Sequence, residues 1–336
     1  MSAPRSPVAG LGIEFDDPRL ESIVRAGLAD VEAELVTAVR SDDPFIADAA
    51  SYLVEAGGKR FRPLIGLLAG QFGSGERHEV VMSAVVCELT HLATLYHDDV
   101  MDEATVRRGA QAANSRWNNT VAILTGDFLF ARASLILADL GPEAVRIQAR
   151  CFERLVSGQI RETIGPKDGA DPIEHYLAVL ADKTGSLIAT SAEFGARFAG
   201  VDPATTADLR AFGEQIGVAF QISDDILDIA SDTGQSGKTP GTDLREGVQT
   251  LPVLYALQSS EQAGQRLREL VGRPLADDDE HAEALALLRG SAAVESARAT
   301  LRSYTEAARA TLSGLPDVPA RAALDALTEL VLVRTG

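Results

Sequence analysis

The chain has 336 residues, 46% of them hydrophobic, which is enough for a large packed core and excludes wholesale disorder. Asp plus Glu total 49 against 31 Lys plus Arg, for a formal net charge of −18. A surface this acidic excludes nucleic acid and anionic lipid as electrostatic partners.

The first 17 residues are rich in Pro, Gly and Ser and read as a flexible arm; residues 18–336 read as one large domain. The arm lacks the basic start and apolar run of a signal peptide. No uninterrupted apolar stretch reaches the ~18 residues that span a bilayer. The chain is therefore expected to be cytoplasmic and not transmembrane. From Pro18 onward apolar residues recur at spacings of three and four. That periodicity predicts helices over 18–41, 44–56, 61–72, 78–104, 112–139, 142–164, 172–199, 204–232, 243–258, 262–271, 279–288, 291–312 and 318–334. Nothing alternates with period two over a strand's length. The expected fold is all-α, a single large helical bundle around a central cavity.

Taken in chain order, the chemistry begins at Gly57-Gly58-Lys59-Arg60-Phe61-Arg62-Pro63, a glycine turn that carries three cations into a helix. Its amides and side chains suit an anion. The helix over 78–104 contains Cys87 and closes on His97-Asp98-Asp99-Val100-Met101-Asp102, with Arg107 and Arg108 following. Cys151 lies in a later apolar helix, so both cysteines read as reduced, buried thiols. Asn118-Asn119-Thr120 matches a glycosylation acceptor by chance. Lys183-Thr184-Gly185 lies inside the helix over 172–199, and Ser223-Asp224-Asp225-Ile226-Leu227-Asp228 closes the helix over 204–232. Lys238 follows in a Gly-rich loop that reads as a lid.

The two aspartate clusters echo one another. On a helix, residues four apart share a face, so Asp98 with Asp102, and Asp224 with Asp228, present parallel carboxylates. Like charges so placed repel unless a cation lies between them. Hard oxygens with open positions suit Mg²⁺ completed by substrate phosphates. One such cluster alone is as well explained as a solvated face; two, each set among apolar residues, are not. Opposed across a cavity they would clamp a diphosphate. Gly237-Lys238-Thr239 imitates the end of a nucleotide P-loop, but Asp232 stands where that pattern needs Gly, and the segment follows a helix.

The order GGKRFRP (57–63), HLATLYHDDVMDEATVRRG (91–109), GDFLFARA (126–133), KTG (183–185), FQISDDILD (220–228) and GKTPGTDLREG (237–247) resembles the trans-polyprenyl diphosphate synthases, in particular their long-chain bacterial branch. The resemblance spans nearly the whole chain. It implies an enzyme, a prenyltransferase adding isopentenyl diphosphate repeatedly to an allylic diphosphate, farnesyl or geranylgeranyl, for a menaquinone-type side chain. It also implies a homodimer and a product that can be handed to a membrane. By the same resemblance Asp98, Asp102, Asp224 and Asp228 are ligands to about three Mg²⁺ ions. Arg107, Lys183 and Lys238 contact the allylic diphosphate, while Lys59, Arg62, His91 and Arg108 hold isopentenyl diphosphate. Thr184 and Gln221 face the developing carbocation. Many relatives carry Lys after the Arg-Glu-Gly of the last motif; this chain has Val248.

In that family the product grows beside the helix that ends in the first cluster. Thr94 and Ala93, four and five residues before Asp98, and Thr90, eight before, are all small. An aromatic residue at either of the first two would close the tunnel early, so the product is expected to exceed farnesyl. Alternatively, Ala93 is small because two helices pack closely there. Three rival readings are a geranylgeranyl diphosphate synthase, a class I terpene cyclase, and a helical scaffold without activity. The second full aspartate set and the separate Lys59, Arg62 and Arg108 group stand against the last two. A catalytic subunit of a heterodimer is also open.

Overall fold

The computed structural model describes residues 15–75, 77–230, 240–259, 262–271 and 273–334. In chain order the elements are α1 (Pro18–Ala38), α2 (Pro44–Glu55), α3 (Phe61–Gly70), α4 (His78–Met101), β1 (Val106–Arg107), β2 (Ala110–Gln111), α5 (Ala113–Arg116), α6 (Asn119–Leu140), α7 (Pro142–Ile164) and α8 (Pro172–Leu180). A π-helical turn, Ala181–Gly185, joins α8 to α9 (Ser186–Phe198). Then follow α10 (Pro203–Ala230), α11 (Thr242–Glu246), α12 (Leu251–Gln258), α13 (Gln262–Leu270), α14 (Asp278–Arg289), α15 (Ala293–Ser313) and α16 (Pro319–Val333). The all-α expectation holds. The arm expected over 1–17 lies outside the described residues except for 15–17, and so does Lys238 with most of its loop.

Four helices begin at an Asp-Pro step, and the reason is local. Pro fixes φ at the first helical position, where its missing N–H costs nothing. The preceding Asp accepts the orphan amides: Leu20 N on Asp17, Phe45 and Ile46 N on Asp43, Ile173 N on Asp171, Ala204 and Thr205 N on Asp202.

Three sequence expectations are corrected. A two-stranded antiparallel hairpin, Val106 opposite Gln111 and Arg107 opposite Ala110, follows the first aspartate cluster. It is too short to show any alternation. The helix expected over 172–199 is interrupted by the π turn at Lys183-Thr184-Gly185, and that over 243–258 breaks between α11 and α12. Among the described residues α4 and α6 are long and apolar enough to cross a membrane by length and composition; 67% of the α4 window and 33% of the α6 window are buried inside the protein. Counting only uninterrupted apolar runs misses both.

The chain forms two compact units, each built from separate segments. The first contains residues 1–153, 187–213 and 314–326, and centres on α4, which α1, α3, α5 and α6 pack around. Its core includes Leu28, Leu35, Leu64, Leu68, Leu89, Leu92 and Tyr96, each under 2% exposed. The α4–α6 contact is close: a Cβ on Gly126 would lie 2.4 Å from His97 Nε2 and 3.0 Å from the Ala93 carbonyl oxygen, so only glycine fits there. The second unit contains 154–186, 214–313 and 327–336, with α12 packed on α8, α13, α14 and α15.

Candidate active site

In the first unit, the C-terminal end of α4 separates its aspartates by burial. Asp99 is fully buried: Oδ1 accepts from Arg107 Nε at 2.7 Å and Oδ2 from the Ala113 amide at 2.8 Å. Asp98 is half-buried and Asp102 is exposed, with its carboxylate 3.6 Å from Arg107. Asp99 therefore holds the hairpin and aims Arg107, while Asp98 and Asp102 remain more accessible. Burial pulls the Arg107 guanidinium down, but the hydrogen bond and charge of Asp99, with Asp102 and Asp98 behind, outweigh it and raise the pKa.

The second anion-binding motif lies in the same unit. Arg108 Nη1 donates to the carbonyls of Leu53 and Gly57, which ties the hairpin to the glycine turn. Lys59 is exposed, and Arg62 is partly buried with its Nε lacking any hydrogen-bond partner. Desolvation lowers the Arg62 and Arg108 pKa values, and the Glu88 carboxylate partly opposes it. Desolvation and then the charges of Arg62 and Arg108 hold His91 well below the ordinary histidine range, so it is neutral at pH 7. Arg62, His91 and Arg108 thus come together, as the charge of both arginines on His91 requires, with Lys59 exposed on the turn just before α3. Among the described residues, the only non-glycine positions with positive φ are Arg60, Glu103 and Arg108. All three flank these motifs, and such strain concentrates at functional sites.

In the second unit, Asp225 is buried and hydrogen-bonded by the Tyr176 hydroxyl at 2.6 Å. Burial pushes its pKa up to about 8, and the side chain of Gln221 bonds it as well. Asp224 is paired with Arg334 at 2.7 Å, its side chain 39% exposed. The two oxygens of Asp228 accept the Thr242 and Asp243 amides at 3.0 and 3.1 Å, which anchors the chain re-entering after the Gly-rich loop. Lys183 and Thr184 are partly buried on the π turn, and Lys183 Nζ is 2.6 Å from Glu162. Asp182, one residue earlier, bridges Arg154 and Arg161, and Arg154 continues to Glu214. Gly158 lets α7 pass: a Cβ there would be 2.9 Å from the Lys183 amide.

Among the described residues no three His, Cys, Asp or Glu side chains gather into a cage for a metal ion. What the α4 and α10 ends offer is pairs of hard, partly exposed carboxylate oxygens. That donor set fits a Mg²⁺-like ion which keeps waters and is completed by phosphate oxygens, and it does not fit a closed structural site. Sequence reasoning missed Glu88, Tyr176, Arg154 and Arg334. Glu88 had a readable signal, since a carboxylate inside an apolar helical run needs a buried cation.

Of the positions expected to line the product, Thr90 and Ala93 are fully buried and Thr94 is half-buried. The Ala93 carbonyl lies in the tight α4–α6 contact opposite Gly126. Thr90 accepts a hydrogen bond from Gln148 of α7 at 2.8 Å.

Comparison with known proteins decides the family, because the polyprenyl synthetase pattern matches residues 43–288. The chain belongs to the polyprenyl synthetase family. It is accordingly a prenyltransferase of the polyprenyl diphosphate synthase type. It is 49% identical to the nonaprenyl diphosphate synthase of Mycobacterium tuberculosis over 337 residues, covering 100% of both chains. It is 32% identical to the octaprenyl diphosphate synthase of Escherichia coli, across 94% of this chain and 98% of that one. A solved structure of geranylgeranyl pyrophosphate synthase from Corynebacterium glutamicum, complexed with calcium and isoprenyl diphosphate, superposes with a TM-score of 0.88 at 46% identity, covering 96% of this chain and 100% of that one.

Proposed function

We propose that this prenyltransferase condenses isopentenyl diphosphate repeatedly with an allylic diphosphate to make an all-trans polyprenyl diphosphate longer than farnesyl, with Mg²⁺ as its ion. The observation that carries the reading is the difference in burial among the aspartates: Asp99 and Asp225 are buried against protein partners, while Asp98, Asp102, Asp224 and Asp228, one turn apart at each helix end, stay partly or fully accessible. Asp98, Asp102, Asp224 and Asp228 hold the metal. Mg²⁺, when bound, supplies charge stabilisation to the departing diphosphate.

The remaining work belongs to side chains. Arg107, aimed by Asp99, and Lys183, on the π turn, bind the allylic diphosphate, with Lys238 as a further contact. Lys59, Arg62, neutral His91 and Arg108 bind isopentenyl diphosphate by charge and hydrogen bonding alone. The allylic C–O bond breaks and its electron pair leaves with the diphosphate. The double bond of isopentenyl diphosphate attacks the resulting cation, forming the new C–C bond. The proton lost from the adjacent carbon goes to the released diphosphate, since no side chain here is a strong free base. Thr184 and Gln221 turn their polar atoms to the cation, and exclusion of water protects it. The growing tail runs past Thr94 toward Thr90.

A homodimer is supported by the outer face of α6, where Ile123, Leu124 and Leu135 are 42%, 60% and 59% exposed. Residues 18–336 act as one catalytic domain, and the enzyme is cytoplasmic, its polyprenyl product serving a menaquinone-type side chain. Incubation with farnesyl diphosphate, isopentenyl diphosphate and Mg²⁺, with products separated by chain length, tests the reading. Products that stop at geranylgeranyl diphosphate would overturn the long-chain assignment. A hydrocarbon formed without isopentenyl diphosphate would overturn the synthase assignment.

A further inference from the structure

Beside the cations of the first unit's anion-binding motif lies one more, Arg60, which faces protein carboxylates instead of the pocket. It is 2% exposed and sits in the left-handed backbone region at φ 50°, between Lys59 and the helix that carries Arg62. Three elements grip its guanidinium. Nε and Nη2 donate to Glu32 of α1, Nη1 donates to Glu88 of α4 at 2.8 Å, and Nη2 also donates to the Val54 carbonyl near the end of α2 at 3.1 Å.

Glu88 gives the arrangement its meaning. Its side chain is 2% exposed, and its charge reaches both Arg62 and Arg108. It is thus a fixed buried anion beside cations read as binding a diphosphate. Left without a partner of its own, it would pair with Arg62 or Arg108, and an incoming diphosphate would have to displace it. Among the described residues neither Arg62 nor Arg108 is in an ion pair, and Arg62 Nε has no hydrogen-bond partner. The carboxylate is engaged by Arg60 instead.

We propose that Arg60 is a positioning residue for isopentenyl diphosphate: it binds Glu88 so that Arg62 and Arg108 stay uncompensated for the substrate. The proposal rests on the assignment of Lys59, Arg62, His91 and Arg108 to isopentenyl diphosphate. Four cations, Arg60, Arg62, Arg107 and Arg108, act on His91 in this one region, and Glu88 is the buried counter-charge among them. Glu32 is 35% exposed and can turn to water if its partner is removed.

The test is steady-state kinetics of the full chain with Mg²⁺, comparing Arg60→Met, Arg60→Met/Glu88→Gln and Arg62→Gln, with each KM measured separately. Arg60→Met is expected to raise KM for isopentenyl diphosphate about ten-fold or more and to leave KM for the allylic diphosphate within about two-fold. Adding Glu88→Gln removes the released carboxylate and is expected to restore KM to within about three-fold of the parent. A double variant as impaired as the single one would show a merely structural Arg60 and overturn the proposal. An unchanged KM in Arg60→Met beside a raised one in Arg62→Gln would also overturn it. An unchanged KM in Arg62→Gln would instead overturn the site assignment, and the proposal with it. Should Arg60→Met fail to fold, Arg60→Gln and Arg60→Gln/Glu88→Gln carry the same comparison. Recovery in the double variant supports the proposal, and its absence contradicts it.

Discussion

Replacing Asp99 by Asn separates the buried aspartate from its outward neighbours. The fully buried carboxylate accepts from Arg107 Nε at 2.7 Å and from the Ala113 amide at 2.8 Å. Asn offers one oxygen and an NH₂ group, so it can accept from Ala113 but then points a donor at the Arg107 donor. One charge-assisted hydrogen bond is lost, which costs about 1.5–3 kcal/mol. At about 2 °C per kcal/mol for a chain of this size, Tm should fall by roughly 3–6 °C. Asp102→Asn is the control. Its side chain is 55% exposed and 3.6 Å from Arg107, an ion pair worth about 0–1 kcal/mol, so Tm should move by about 2 °C at most. Its kcat should nevertheless fall about a hundred-fold or more, as expected for a lost ligand to a catalytic ion. Thermal unfolding by far-UV circular dichroism, paired with turnover of both variants, reads the contrast. An Asp99→Asn chain as stable as the parent would refute the reasoning, as would an Asp102→Asn chain that keeps full activity.

Three further outcomes are expected. Thr94→Phe, at a half-buried position, should shorten the product distribution while leaving Tm nearly unchanged; Ala93→Phe, against Gly126, should overpack the α4–α6 contact at about 1–3 kcal/mol. Equal effects on both measurements would contradict this. Lys183→Ala should cut kcat about a hundred-fold and raise KM for the allylic substrate, with KM for isopentenyl diphosphate unchanged in initial-rate assays. The third outcome concerns pH. His91 is held neutral in the folded protein, whereas its unfolded counterpart takes up a proton below about pH 6.5. The unfolded state then binds more protons, so stability falls as pH drops through that value. His91→Gln should flatten that slope in chemical unfolding measured from about pH 7 down to about pH 5, and an unaltered slope would refute it.

The helical periodicity, the Asp-Pro helix starts and both acidic helix ends could be read from the sequence because each is a local signal. Asp17, Asp43, Asp171 and Asp202 cap the helices they precede, and Asp98 with Asp102 follows from residue spacing alone. What the sequence hid is set by contacts distant along the chain. The hairpin has two residues per strand and depends on Asp99 reaching Arg107 and Ala113. The π turn at Lys183 adds a residue to a helix whose composition is ordinary; Gly158 of α7 and the Arg154–Asp182–Glu214 network hold it from outside. Arg60 looked like one more substrate cation, and only the tertiary pairing with Glu32 and Glu88 sets it apart from Lys59 and Arg62.

The most direct measurement of the central claim is condensation of labelled isopentenyl diphosphate with farnesyl diphosphate, run with Mg²⁺ and again with the divalent ions chelated. Prenyl chains longer than farnesyl should form with the ion and vanish under chelation, returning when Mg²⁺ is added back. Elongation that proceeds undiminished in the chelator would contradict metal ligation by Asp98, Asp102, Asp224 and Asp228 as the basis of catalysis.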